Sequence, residues 1–292
     1  MIQIKEMAPR DGLQNEKVKI LTEDKIEFIQ KLQQAGITYI EIGAFVHPDK
    51  VPQMADTEAV IRGVDLQEGV ETSVLVPNMH GFQKALDLGM KEVAVFTAAS
   101  ETFNQKNINA SIQESLDRFK PVFEAAENNG IKVRGYISTA FVCPFEGLVS
   151  TNKVIPIIES LLEMGCYEVS IGDTIGKATT DQVTELFSKT HQLGLNGWLA
   201  GHFHDTYGQA LENIKASLAF DIEVFDASAG GLGGCPYAPG APGNVATEDV
   251  VDFLNSQNIT LPIQINKLIE AISFIESKIG RELNSKTYKK YK

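Results

Sequence analysis

YEVSIGDTIGKATTDQVTELFSKTHQLGLNGWLAGHFH, residues 167–204, holds two short apolar runs, 167–172 and 199–204. Between them, residues 180–193 carry apolar side chains at three- and four-residue spacing. The runs are too short for helices and the middle segment is too long and too periodic for a strand, so the stretch reads strand, helix, strand. The same unit recurs outward in both directions. Further strands are expected at 2–7, 39–45, 72–76, 92–97, 132–139 and 223–227, with helices at 22–35, 112–129 and 208–219 among the intervening segments. Strict alternation calls for a parallel sheet, and eight strands favour closure into an α/β (β/α)8 TIM barrel over an open doubly wound sheet. Two helical stretches follow, 247–256 completing the eighth unit and 261–279 packing outside it, and the basic end 286–292 is expected to be solvated. One domain over 1–292 is expected, with the barrel over about 1–257 and a C-terminal helical extension over about 258–292.

Composition agrees with a packed soluble protein. Of 292 residues, 43% are hydrophobic and 22% charged, close to globular averages. Lys and Arg number 26 against 38 Asp and Glu, a net charge of −12, so a long phosphate backbone would be repelled and nucleic acid is not an expected partner. No apolar run is long enough for a membrane span, and the N-terminus lacks the pattern of a signal or transit peptide. Three widely spaced cysteines, Cys143, Cys166 and Cys235, suggest a reducing, cytoplasmic setting rather than a disulfide framework, with the first two as packing residues.

In a barrel of this kind the chemistry lies where strands end at their C-terminal side. Arg10 and Asp11 leave the first strand, Glu41 lies on the second, Asp173 leaves the sixth, and His202 and His204 close the seventh. The two histidines are one residue apart, so their side chains share a face with backbones about 7 Å apart. They can grip one metal ion, with a carboxylate such as Asp11 from the first strand, adjacent to the last on barrel closure, adding charge. Arg10, a planar and permanent cation, suits a carbonyl oxygen becoming an enolate, its plainer alternative being a salt bridge to Glu41 or Asp173. The segment GGLGGCPYAPGAPGN, residues 230–244, is too rich in glycine and proline for a helix. It reads equally as a phosphate-binding or bare loop and as a lid that carries Cys235 over the site. Asn244 is either a cap or turn residue or a fourth metal ligand.

These motifs have a family resemblance. APRDGLQNEK (8–17), FVHPDKVPQMAD (45–56), AASETFNQKNINAS (98–111), SIGDTIG (170–176), GHFHDTYGQAL (201–211) and GLGGCPYAPGAPGNVATED (231–249) make the chain resemble the 3-hydroxy-3-methylglutaryl-CoA lyases almost end to end. These are divalent-metal-dependent TIM-barrel enzymes of a group that includes isopropylmalate and homocitrate synthases. The RDG and His-x-His elements are shared across that group, whereas the GLGGCPYAPGA loop is characteristic of the lyases. The resemblance implies Asp11, His202, His204 and Asn244 as ligands of Mg²⁺ or Mn²⁺. It implies Arg10 as the residue that polarises the substrate carbonyl, Cys235 as a proton carrier, and Glu41, Asp173 and His202 as catalytic. Gln14 and Asn107 match positions near the substrate, an acyl-CoA. Phe203 stands where a smaller residue is expected, on the side away from the metal. A related 3-hydroxyacyl-CoA lyase or a Claisen-type synthase is the alternative enzyme, and a silent acyl-CoA or metal-binding module the alternative outside catalysis. The sequence leaves the oligomeric state open, a homodimer being one option.

Overall fold

β1 (Gln3–Glu6), β2 (Tyr39–Ala44), β3 (Glu71–Leu75), β4 (Glu92–Ala98) and β5 (Lys132–Ser138) run parallel, each hydrogen-bonded to the next. A two-stranded antiparallel hairpin, β6 (Val142–Cys143) and β7 (Gly147–Leu148), then stands apart from the sheet. β8 (Cys166–Asp173), β9 (Leu199–Phe203) and β10 (Val224–Ala227) complete the ring, and β10 pairs with β1 from Gln3↔Val224 to Glu6↔Ala227. The expected (β/α)8 barrel is therefore closed, and the observed strands lie within one or two residues of their sequence-based limits. The computed structural model describes residues 2–234, 243–283 and 285–292.

Around the ring pack α1 (Thr22–Gln34), α2 (Thr57–Gly63), α3 (Met79–Asp87), α4 (Glu101–Ile108), α5 (Ile112–Asn129), α6 (Thr151–Glu163), α7 (Thr180–Gln192), α8 (Ala210–Leu218) and α9 (Thr247–Ser256). Local chemistry sets several of their starts: Ser111 with Glu114, and Thr179 with Gln182, form capping boxes that satisfy the first free amides of α5 and α7. Except for α4, whose Phe103 packs in a small separate cluster with Ala98 and Cys143, the apolar faces of these helices meet the outer face of the barrel in one continuous core. Among the described residues no helix is long and apolar enough to cross a membrane.

Two expectations at the C-terminus are corrected. The helix expected over 261–279 is α10 (Ile265–Ile279), and it begins four residues later. Pro262 lies in the extended lead-in, which docks on the end of α1 through the Gln264 amide bonded to the Ala35 carbonyl at 2.7 Å. The basic end is not a solvated tail. It forms α11 (Lys286–Tyr291), whose Thr287 and Tyr288 are buried, because Asp249 accepts the amides of Thr287 and Lys286 at 2.7 and 3.2 Å.

The barrel interior is polar where bulky aliphatic layers are usual. Lys5 donates to Tyr167 Oη at 2.7 Å, pairs with Glu168 at 2.9 Å and lies 4.1 Å from the Tyr39 ring centroid. Above it Arg134 is bonded to Glu168, Asp226 and Tyr136. Buried charges persist only when paired and hydrogen-bonded, and these are.

Candidate metal centre and active site

Directly after β1 the chain makes a π-helical turn, Ala8–Gly12, that brings Arg10 and Asp11 to the barrel mouth. Glu6 anchors this turn from beneath: its carboxylate accepts the Ala8 and Ala229 amides, both at 2.9 Å, and the Thr247 hydroxyl at 2.7 Å. Gly12 completes the turn because nothing larger fits. A Cβ there would lie 2.8 Å from Ser228 Oγ and 2.9 Å from Leu232 Cβ.

Asp11, His202 and His204 converge, each offering a ligand atom within 4.8 Å of the others. His202 occupies the end of β9 and His204 follows it, their ring centroids 5.4 Å apart. Phe203 between them is buried on the opposite side, stacked on Phe141 at 6.2 Å, as the strand period requires. Burial, with His202 alongside, pushes the His204 imidazole down to about 4, so it is neutral and able to ligate at neutral pH. Desolvation would raise the Asp11 carboxyl, but Arg10, His202 and His204 overcome it and hold it at about 2, leaving an anion.

Asn244, brought in by a bridge to His204, donates its amide to Asp11 Oδ2 at 2.7 Å and to the Leu232 carbonyl at 3.2 Å. Its Oδ1 and the Nδ1 of His204 are both buried with no hydrogen-bond partner. Unpaired polar atoms of this kind are costly unless something binds them. Two orphaned acceptors beside a carboxylate and a second imidazole form a donor set that fits a divalent cation. Gly233, at φ +115°, permits the approach, since a Cβ there would meet Asn244 Nδ2 at 2.7 Å.

Arg10 is buried and lies against both acids: Nε donates to Glu41 and Nη1 donates to Asp11 Oδ1 at 2.7 Å. Its salt bridges thus go to Glu41 and Asp11, while Asp173 is engaged elsewhere. The Asp173 carboxylate ends β8 and accepts the amides of Lys177 and Ala178 at 3.0 and 2.9 Å; burial pushes it up to about 6 against those bonds. Gln14 is half-buried three residues beyond Asp11, and Asn107 is exposed on α4, the helix that follows β4. Among the described residues no hydrogen bond joins either of them to the Asp11 cluster. Cys235 lies outside the described residues.

The strand-end reading passed over Asp226, Arg134 and Tyr136. Asp226 Oδ2 accepts His202 Nδ1 at 3.0 Å, and Tyr136 donates to Glu41 Oε1 at 3.1 Å. The signal was present as charged and phenolic residues at alternate, inward-facing positions inside otherwise apolar strands.

Comparison with known proteins agrees with this geometry. The HMGL-like family profile matches residues 1–275. A Pseudomonas aeruginosa protein described as 3-hydroxy-3-isohexenylglutaryl-CoA/hydroxy-methylglutaryl-CoA lyase is 49% identical over 288 residues, 99% of this chain and 96% of its own. The crystal structure of the HMG-CoA lyase of Bacillus subtilis superposes with a TM-score of 0.97 at 46% identity, covering 99% of this chain and 97% of that one. An HMG-CoA lyase of Acinetobacter baumannii, solved in complex with coenzyme A and 3-methylmalate, superposes with a TM-score of 0.94 at 33% identity over 99% of this chain and 94% of that one.

Proposed function

The chain belongs to the HMGL-like family, and on that premise we propose that it cleaves (S)-3-hydroxy-3-methylglutaryl-CoA to acetyl-CoA and acetoacetate. The observation that carries the reading is the meeting of Asp11, His202 and His204 at the barrel mouth, with Arg10 bonded to Asp11 itself. Asp11, His202, His204 and Asn244 would hold Mg²⁺ or Mn²⁺. Bound there, the cation supplies Lewis-acid polarisation of the substrate's oxygens.

The residues of the chain do the rest. Asp173, whose carboxyl burial pushes up to about 6 beside His202, is assigned removal of the tertiary hydroxyl proton, and His202 is kept to ligation. The C2–C3 bond then breaks, C3 becomes the ketone of acetoacetate, and the bonding pair passes to the acetyl-CoA enolate. Arg10 faces that developing charge. Glu41 and Asp11 grip two edges of its guanidinium, so its remaining donor edge is oriented before the charge forms, which is where such stabilisation is most effective. Cys235 is assigned delivery of a proton to the enolate carbon, and Gln14 and Asn107 contact with the acyl-CoA. Two free buried thiols, Cys143 and Cys166, support a cytoplasmic location.

The decisive experiment is a coupled assay of metal-stripped protein with (S)-3-hydroxy-3-methylglutaryl-CoA and with a longer-branched 3-hydroxyglutaryl-CoA, before and after adding Mg²⁺ or Mn²⁺. Metal-restored cleavage of the first thioester is expected. Cleavage of neither under any condition overturns the assignment.

A further inference from the structure

Beneath the site lies a buried cation that the mechanism does not use. Arg134, on β5, has no exposed surface. Its Nη2 and Nη1 reach Asp226 Oδ1 and Oδ2 at 2.8 and 3.1 Å, its Nε reaches Glu168 at 2.6 Å, and Nη1 also donates to Tyr136 Oη at 2.8 Å. Two paths run upward from it. Asp226 Oδ2 accepts His202 Nδ1 at 3.0 Å and the Ser170 hydroxyl at 2.7 Å. Tyr136 donates its hydroxyl hydrogen bond to Glu41 Oε1 at 3.1 Å, and the other oxygen of Glu41 holds Arg10 Nε.

We propose that Arg134 is a positioning residue for both halves of the site: through Asp226 it orients the His202 imidazole for the metal, and through Tyr136 and Glu41 it orients the Arg10 guanidinium. Both Asp226 oxygens take donors, Oδ1 and Oδ2 from Arg134 and Oδ2 also from Ser170, so toward His202 the carboxylate acts as an acceptor; the imidazole proton then sits on Nδ1 and Nε2 is left for Asp11 and His204. A carboxylate behind a ligating histidine fixes its tautomer and raises its basicity. On the other path Tyr136 accepts one bond and donates one, so its hydroxyl is turned toward Glu41 by Arg134. Lysine could not replace this arginine, because a single ammonium cannot span Glu168, both oxygens of Asp226 and Tyr136 in one plane.

A purely structural network would lower stability and every function together, whereas the two paths predict a split. The test uses full-length, metal-stripped protein, titrated calorimetrically with Mn²⁺ in the absence of substrate, alongside kcat at saturating Mn²⁺ and melting temperature. Asp226→Asn should weaken Mn²⁺ binding about 10- to 100-fold. Tyr136→Phe should leave Mn²⁺ affinity within about twofold while lowering kcat on the order of 10-fold or more, as expected when a transition-state contact is misplaced. Arg134→Lys should show both losses. Wild-type Mn²⁺ affinity in Asp226→Asn, unchanged kcat in Tyr136→Phe, or losses in both variants that merely track melting temperature would overturn the proposal. Should Asp226→Asn not fold, Asp226→Glu keeps the charge for Arg134 and displaces the acceptor from Nδ1; wild-type affinity there is equally fatal. The kcat arm rests on the lyase reading, but the Mn²⁺ titration does not: wild-type protein that binds Mn²⁺ and cleaves nothing refutes the lyase and leaves the metal arm to be decided.

Discussion

Glu6 offers the sharpest physical prediction. It is fully buried under the turn that carries Arg10 and Asp11, and burial pushes its carboxyl up to about 7 in spite of its bonds from Thr247, Ala229 and Ala8. In the unfolded chain the same group titrates near 4.3, so the folded protein binds its proton more tightly. The stabilising contribution is complete well below about pH 4.3 and is lost as pH rises through about 7, the full difference amounting to about 3.7 kcal/mol at 1.36 kcal/mol per pH unit, of which about 3 kcal/mol falls between pH 4.5 and 8. Glu6→Gln removes the charge and preserves the geometry. Both amide bonds go to Oε1, which glutamine retains, and the Thr247 hydroxyl can accept from the new amide. The variant should therefore match wild type near pH 4.5 and exceed it at pH 8 by up to about 3 kcal/mol, roughly 6 °C in melting temperature for a domain of this size. Scanning calorimetry of both proteins at the two pH values measures this. An offset equal at both pH values, or a variant less stable than wild type at pH 8, refutes the claim that Glu6 is held against its own charge.

Arg10→Gln should lower kcat at least about 100-fold, because it removes the cation facing the enolate, and near-normal turnover in folded protein would count against that role. Cys235→Ser should lower turnover by about 100-fold with an unchanged far-UV spectrum, in keeping with the usual size of a proton-transfer contribution. Chelation with EDTA should abolish cleavage, and restored Mn²⁺ at a hundredfold excess over Kd should raise stability by about 2.7 kcal/mol; a melting temperature indifferent to Mn²⁺ would contradict the cation site. Gly172→Ala should cost about 1–3 kcal/mol in urea denaturation, since its Cβ would lie 2.9 Å from the Ile137 carbonyl, a backbone atom that cannot step aside; a neutral effect would mean that β5 and β8 can part locally.

Much of the site was legible because strand-end chemistry follows from topology. Once β10 lies between β1 and β9, Asp11 and the two histidines come to the same side of the barrel mouth, and the two-residue period puts both imidazoles on one side and Phe203 on the other. Partners within the barrel were not legible in the same way. Arg134 and Asp226 are 92 residues apart, and nothing local in either strand announces the other. The basic C-terminal segment misled for a related reason: its charge is that of a solvated tail, and beyond the local Ser285 cap it is Asp249, distant in sequence, that gives the Lys286 and Thr287 amides somewhere to bond.

Periodicity and turn chemistry act over a few residues, so the amino-acid order alone determined the alternation of strand and helix, the closure of eight strands, and which side chains emerge at the open end. Pairing across the barrel depends on tilt, register and the absence of water, which exist only after closure. The tertiary structure therefore decided that Arg10 is gripped by Glu41 and Asp11 rather than Asp173, that Asn244 Oδ1 and His204 Nδ1 are left without partners, and that one buried guanidinium reaches toward both halves of the site.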